Sequence, residues 1–165
     1  MKKILTAVIL LPLLLGIVMG GEPDKTQAGP YNPNADARAE IAAALNAAKN
    51  NHQQVLLVFG ANWCPWCRVI HKMFKENAEI AKLLKKHFQV VSVDIGRKDK
   101  NLDLNEKYGN PIKNGIPVLV VLNADGKLLT IQETGSLEKN EGDNKGHDPQ
   151  KILAFLKQFV KEEVK

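Results

Sequence analysis

The chain has 165 residues, of which 25% are charged and two are cysteines, and its formal net charge is +5 at pH 7. That length suits a single domain with its own hydrophobic core. The charge is mild and the two signs are interspersed, which argues against a nucleic-acid-binding surface. No internal repeat is visible.

The N-terminus has the pattern of a secretory signal peptide. Two lysines precede an apolar run over residues 4–19, and two glycines follow it, which matches a basic region, an apolar region and a small-residue cleavage site. The alternative is an uncleaved anchor, but the run is shorter than the roughly 20 residues of a membrane span and contains Pro12. No cysteine follows for lipid attachment.

We therefore expect residues 1–20 to be removed on export to a bacterial periplasm, where disulfides persist. The mature protein would have about 145 residues and no stable membrane anchor. Because two lysines leave with the signal, the formal net charge would fall from +5 to +3.

The next segment, residues 21–33, is rich in glycine, proline and polar residues and predicts a flexible lead. Asn34 or Asp36 then caps a predicted helix that ends near Asn50. Residues 55–59 form a continuous apolar run of strand length, which is typical of a central strand buried on both faces.

The two cysteines, Cys64 and Cys67, follow that strand on a predicted turn and precede a helix expected over residues 68–86. A Cys-x-x-Cys pair between strand and helix is the layout of a dithiol redox site. The pair encloses almost no chain, so a disulfide between them would contribute little as a structural cross-link. We interpret it as a pair that opens and closes during turnover.

The remaining elements predicted in chain order are a strand (88–95), a polar loop (96–100), a short helix (102–108), a loop (109–115), a hairpin of two strands (116–122 and 127–133) around the turn 123–126, a loop or insertion (136–149), and an amphipathic helix (150–162). The order helix, strand, helix, strand, helix, hairpin, helix predicts an α/β fold with one sheet covered on both faces.

Several of these features together resemble thioredoxin. They are the Trp-Cys-Pro-Trp-Cys segment at 63–67 after a buried strand, Gly-Ile-Pro at 115–117 before a hairpin, and a final helix. With Asp-Gly-Lys at 125–127, the chain is most similar to a periplasmic thioredoxin-like group that includes disulfide-isomerase-like proteins and the C-terminal domain of a membrane thiol-disulfide interchange protein. The resemblance covers residues 34–165 and implies a thioredoxin fold: a central mixed β-sheet flanked by helices, with an N-terminal helix extension.

Cys64 is the predicted nucleophile. It lies at a helix N-terminus, where unpaired amides and the helix dipole favour a thiolate. Its thiolate would attack a substrate disulfide, and Cys67, one turn further along and more buried, would displace the reduced product.

The alternative for the cysteines is a metal or haem site. Cys64, Cys67 and His71 share one face of the predicted helix, but a structural zinc site needs four ligands. Attachment of a c-type haem requires histidine directly after the second cysteine, and Arg68 is there. We therefore expect neither metal nor another cofactor, and we expect His71 to be a half-exposed helix residue.

The resemblance also implies a substrate-docking surface. Pro117 corresponds to the cis-proline that faces the cysteine pair, so the backbone of Ile116 would pair with an extended substrate segment beside the nucleophile. The alternative is a trans proline at a strand start. Trp63 and Trp66, with Pro65 between them, are predicted to form an apolar rim, although Trp63 alternatively packs on the sheet edge.

Two features depart from thioredoxin. Thioredoxin has a buried aspartate in the strand before the motif, which can relay protons to the resolving cysteine, whereas this chain has Val58. Asp94 lies in the next strand, at an end we expect to be exposed. Residues 136–149 are the second departure, and we expect a solvated surface loop there, with partner recognition as the alternative.

Three hypotheses follow. The first is an exported thiol-disulfide oxidoreductase that reduces or isomerises protein disulfides and is recharged by a membrane thiol-disulfide carrier. The second is a dedicated redox partner that passes electrons to one client protein. The third is a non-enzymatic binding module that retains the fold and uses Cys64 and Cys67 to bind a metal.

Overall fold

One four-stranded sheet organises the chain, and the computed structural model describes residues 29–140 and 146–160 of it. The predicted signal peptide (1–20) and most of the predicted lead (21–28) lie outside this part. The elements are α1 (Ala37–Asn51), β1 (Gln54–Gly60), α2 (Pro65–Glu76), α3 (Ala78–His87), β2 (Phe88–Asp94), α4 (Leu102–Lys107), β3 (Val118–Leu122), β4 (Leu128–Glu133) and α5 (Pro149–Lys157), with 3-10 turns at Pro111–Asn114 and Gly135–Leu137.

The strand order is β2-β1-β3-β4. β1 pairs parallel with β2 and antiparallel with β3, and β3 pairs antiparallel with β4. The mixed sheet and the β3–β4 hairpin therefore confirm the predicted fold class. All seven residues of β1 are buried, because this strand is central and both faces of the sheet are covered.

Two hydrophobic clusters lie on opposite faces of the sheet. Successive side chains of a strand point to opposite sides, so β1 gives Val55, Leu57 and Phe59 to the cluster with α1 and α4, and Leu56 and Val58 to the cluster with α2, α3 and α5. Each fully buried side chain of this kind contributes about 1.5–3 kcal/mol relative to leaving it exposed. This packing fixes β1, and the turn that follows it, between two helical layers.

The N-terminus of α1 is where the sequence predicts it. The Asp36 carboxylate accepts hydrogen bonds from the backbone N–H groups of Arg38 and Ala39, at 3.0 and 3.1 Å. This satisfies two of the amide groups that a helix start leaves unpaired.

The single helix predicted over residues 68–86 is wrong, since the structure has two helices that meet at Asn77. Its N–H donates to the Met73 carbonyl as α2 ends, and its side-chain oxygen accepts from the N–H of Ile80, at 3.0 Å, as α3 begins. Asparagine favours such a cap because its side chain competes with helical backbone bonding. The apolar residues have helical spacing on both sides of residue 77, so the sequence pattern does not reveal this break.

Other boundaries also differ from the predictions. β3 begins at Val118 rather than residue 116, and α5 ends at Lys157. The predicted loop 136–149 is described except for residues 141–145. It is not simply a solvated loop, because Leu137 and His147 are buried and Glu138 forms a β-bridge with His147.

Within the described ranges, no helix has the length and apolar character to cross a membrane.

Candidate active site

The cysteine pair lies at the junction of β1 and α2. Cys64 is the N-cap of α2, and its sulfur accepts a hydrogen bond from the backbone N–H of Cys67 at 3.2 Å. Both residues are thiols, with Cys64 4% exposed and Cys67 fully buried. The side chain that caps the helix is therefore the more accessible sulfur of the two.

The pKa values of the two thiols are shifted in opposite directions. A hydrogen bond from the Cys67 thiol, then the N–H groups of Cys67 and Trp66 and the charge of Arg68, lower the pKa of Cys64 to about 7 although burial opposes this. The shared hydrogen bond and burial raise the pKa of Cys67. Near neutral pH, Cys64 is thus a mixture of thiol and thiolate, and Cys67 keeps its proton.

The segment before β3 forms the opposite wall of the site. The Ile116–Pro117 peptide bond is cis, which confirms that prediction. The carbonyl oxygen of Ile116 accepts a hydrogen bond from the Cys64 thiol at 3.7 Å. The Pro117 carbonyl is held from the other side by the Thr134 hydroxyl, which donates to it at 2.7 Å. Half-buried Ile116 therefore lies directly beside the accessible sulfur.

The two tryptophans of the motif have different surroundings. Trp63 is 41% exposed, and its indole N–H donates to the Gly96 carbonyl at 2.6 Å. Trp66 is half-buried, packs against the cysteines and meets the ring of His147 edge-on, with centroids 5.4 Å apart. Pro65 is exposed between them. Of the predicted rim residues, Trp66 thus lies against the cysteines, and Trp63 is anchored to the loop after β2.

Tyr31 belongs to the site although sequence reasoning missed it. It is 1% exposed and forms one buried cluster with Cys64 and Cys67. Asn62 fixes its backbone twice, since Asn62 Oδ1 accepts from the Tyr31 N–H at 3.0 Å and Asn62 Nδ2 donates to the Tyr31 carbonyl at 2.7 Å. The sequence predicts a flexible lead over 21–33, yet the described end of that segment is packed on the cysteines.

In the described part of the chain, no carboxylate makes a hydrogen bond to either cysteine in place of the thioredoxin aspartate. Val58 is fully buried in an apolar cluster. Asp94 was expected at an exposed strand end, but it is only 9% exposed, because it folds back to accept from the Gly96 N–H at 3.2 Å and to pair with Lys100 at 3.6 Å. It makes no hydrogen bond to either cysteine.

His71 differs from the half-exposed residue that was expected, because it lies on the inward face of α2 with Cys67, Ile70 and Phe74. It is 9% exposed, and its ring meets Tyr31 edge-on at 4.9 Å. Burial, with a contribution from Lys75, lowers the pKa of His71 to about 4. Over the described parts of the chain, no group of three or more His, Cys, Asp or Glu residues is placed to hold a metal ion.

Comparisons with known proteins agree with this geometry. Residues 36–124 match the model of a family described as thioredoxin-like. A disulphide isomerase from Xylella fastidiosa Temecula1 is 41% identical, with a TM-score of 0.69 over 79% of this chain and 95% of that chain. The oxidised C-terminal domain of DsbD from Neisseria meningitidis has a TM-score of 0.53 over 76% and 97% of the two chains, and its 22% identity shows the fold alone.

A curated relative is more distant. Probable nucleoredoxin 3 from Oryza sativa subsp. japonica is 29% identical in an alignment of 97 residues that covers 48% of this chain. The match spans 21% of the length of that protein.

Proposed function

Because this chain belongs to the thioredoxin-like family and carries the fold and cysteine pair of a thiol-disulfide oxidoreductase, we propose that it reduces or isomerises protein disulfides after export to the periplasm. The observation that carries the proposal is the asymmetric pair at the start of α2, in which Cys64 is the less buried and more acidic thiol and Cys67 is fully buried and protonated. This is the acidity pattern that thiol-disulfide exchange needs.

In the first step, the Cys64 thiolate attacks one sulfur of a substrate disulfide. The substrate S–S bond breaks, one substrate sulfur leaves with the electron pair and takes up a proton, and a mixed disulfide with Cys64 remains. Cys67 then loses its proton and attacks the Cys64 sulfur, which forms a Cys64–Cys67 disulfide and releases the second substrate thiol. The dithiol has given two electrons to the substrate.

Isomerisation uses the same mixed disulfide with a different second step. The substrate thiol released first, or another thiol of the same client, attacks the mixed disulfide, and Cys64 leaves unchanged. The similarity to a chain described as a disulphide isomerase supports this outcome.

We further propose that an extended client segment lies along Ile116 and within the rim of Trp63, Pro65 and Trp66. The Ile116 carbonyl is already 3.7 Å from the Cys64 sulfur, so a client backbone paired there would bring its sulfur to the nucleophile. The half-buried and exposed rings of the rim offer apolar contact that is tolerant of sequence.

Export and partners are part of the proposal. Support for export comes from the signal-like pattern of residues 1–20, which would precede the lead at 21–33 and a thioredoxin-like domain over 34–165. After reducing a client, the oxidised protein needs two electrons, and in the periplasm a membrane thiol-disulfide carrier is the partner that would supply them. No metal or other cofactor enters any step.

Reduction of insulin and reactivation of scrambled ribonuclease test this function directly. We expect both activities in the reduced wild-type protein and in Val90→Ala, a control for an exposed apolar side chain on β2. Cys64→Ser should abolish both, because no other accessible thiolate exists in a chain with two cysteines. Wild-type levels of either activity in Cys64→Ser would contradict the proposal.

A further inference from the structure

The hydroxyl of Tyr31 and the sulfur of Cys67 converge on one point above Gly60. A Cβ atom added to Gly60 would lie 2.7 Å from Cys67 Sγ and closer still to the Tyr31 oxygen. That oxygen is fully buried and has no regular hydrogen bond in the described structure. A buried hydroxyl without a regular hydrogen bond is costly and needs an explanation, and the sulfur beside it must ionise during turnover.

The position of Tyr31 is built into the fold. Asn62, two residues before Cys64, holds its backbone through both the N–H and the carbonyl. Gly29 has no room for a side chain, since an added Cβ would collide with Asn62. The ring of His71 closes the far side of the phenol at 4.9 Å. The hydroxyl is thus aimed at the resolving sulfur by contacts with the motif itself.

We propose that Tyr31 is a positioning residue for Cys67. The Tyr31 hydroxyl donates a hydrogen bond to the Cys67 sulfur as the thiolate develops in the resolving step. It supplies a buried polar group beside the resolving sulfur, in a chain that has Val58 at the position of the thioredoxin aspartate. The inference rests on the proposed function, because it concerns the second step of that reaction.

The phenol acts as a donor and not as a base. Burial, followed by the charges of the neighbouring thiolates, raises the pKa of Tyr31, so the hydroxyl keeps its proton throughout. In the resolving step, the proton lost by Cys67 is balanced by the proton taken up by the substrate sulfur that leaves. The Cys64–Cys67 bond forms as the bond between Cys64 and the substrate breaks, and the hydrogen bond from Tyr31 favours the thiolate that starts this exchange.

The other titratable or charged groups that face this pair are few among the described residues. Asp94 at the end of β2 acts on the phenol, and Arg68 of α2 acts on Cys64. His71 is neutral near pH 7 because burial lowers its pKa to about 4. Above neutral pH, the pH dependence of the resolving step therefore reports the ionisation of the thiols.

Single-turnover reaction with the aromatic disulfide dithiobis(nitrobenzoate) separates the two steps. Attack by Cys64 releases one coloured thiolate, and resolution by Cys67 releases the second. Tyr31→Phe keeps the ring and removes only the hydroxyl. We expect it to slow the second release by about ten- to hundredfold, which corresponds to a hydrogen bond to a charged group. It should also move the inflection of that step to higher pH and leave the first release unchanged.

Tyr108→Phe is the matched control, since the chain has two tyrosines and Tyr108 is buried on the α1 face of the sheet. It should behave as wild type in both steps. A second release in Tyr31→Phe with wild-type rate and inflection would overturn the inference, and so would equal slowing of both releases, which indicates a structural role. Absence of the first release in the wild-type protein would overturn the proposed function, and this inference with it.

A second variant keeps the test independent of any folding defect in Tyr31→Phe. In the Tyr108→Phe background, biosynthetic incorporation of 3-fluorotyrosine labels Tyr31 alone. Fluorination makes the phenol a stronger donor, so the second release should become faster, the opposite of the effect of phenylalanine. An unchanged or slower second release would contradict donation to Cys67.

Discussion

The backbone N–H of Cys67 donates to the sulfur of Cys64 at 3.2 Å. Cys64, the nucleophile, is thus the N-cap of α2. The N–H group that stabilises its thiolate belongs to Cys67, the residue that later displaces the substrate. Attack and resolution are therefore coupled through one turn of helix.

Removal of the resolving thiol should trap clients. In Cys67→Ala, Cys64 still attacks, but the mixed disulfide has no internal route of release. We expect disulfide-linked adducts in a periplasmic extract, visible on non-reducing gels and absent from Cys64→Ser/Cys67→Ala. Many adducts would support a general oxidoreductase, whereas one adduct would favour a dedicated redox partner. No adduct at all would contradict the two-step mechanism.

Alkylation should titrate Cys64 near neutral pH. The rate of reaction of the reduced protein with iodoacetamide should rise with a midpoint at about pH 7, below the value of about 8.5 for a free cysteine. In Cys67→Ala the midpoint should move to higher pH, because the largest cause of the lowered pKa is the hydrogen bond from the Cys67 thiol. An identical midpoint in both proteins would contradict this coupling.

The motif tryptophans should govern binding of protein substrates. Trp63→Ala and Trp66→Ala should each raise KM for insulin about five- to thirtyfold with little change in kcat, which is the usual cost of truncating an aromatic anchor. Reaction with the small aromatic disulfide should change less, since that reagent does not need the rim. Val90→Ala, which alters a side chain that is also 41% exposed, is the control. A rise in KM of similar size in the control would argue against a docking rim.

Burial of His147 should make the fold sensitive to acid. Both of its ring nitrogens are buried without hydrogen-bond partners, and burial lowers its pKa from 6.5 to about 4. The unfolded chain therefore binds more protons than the folded one between these values, so the unfolding free energy decreases as the pH falls through this window.

His147→Phe should remove the contribution of His147 to that dependence, because phenylalanine keeps the edge-on contact with Trp66 and cannot be protonated. The contribution of His71, whose pKa burial also lowers to about 4, remains. The unfolding free energies of the variant and the wild type are measured in urea at pH 8 and at pH 5. Between these two pH values, the difference should shift in favour of the variant by about 1–2 kcal/mol. His52→Asn, at an exposed helix end with a left-handed backbone, is the control for the loss of a histidine. Equal acid sensitivity in His147→Phe and the wild type would contradict the assignment.

The sequence was sufficient for the features that depend on local pattern. The apolar run 55–59 predicts the buried central strand, and the spacing of Cys64 and Cys67 predicts a redox pair at a helix start. The family resemblance predicts that Pro117 is a cis-proline that faces the cysteine pair. Each of these depends on neighbours in the chain or on a motif, so a single sequence contains the information.

The features that were missed depend on contacts between distant segments. Tyr31 is placed by Asn62, 31 residues away, and nothing in a segment rich in glycine and proline indicates that contact. His71 lies on the inward face of α2, and its ring meets Tyr31 at 4.9 Å, so its surroundings also include the segment before α1. Asn77 breaks a helix through its own side-chain bonding, which apolar periodicity does not register.

Equilibration with glutathione redox buffers, followed by tryptophan fluorescence, tests the central claim most directly. A Cys64 pKa of about 7 resembles that of thioredoxin more than that of a strong oxidant. We therefore expect a single two-electron transition with a potential between about −270 and −180 mV, the range of thioredoxin and disulfide isomerase, and no transition in Cys64→Ser. Absence of a transition in the wild-type protein, or a potential near the −120 mV or so of a strong oxidant, would contradict the account.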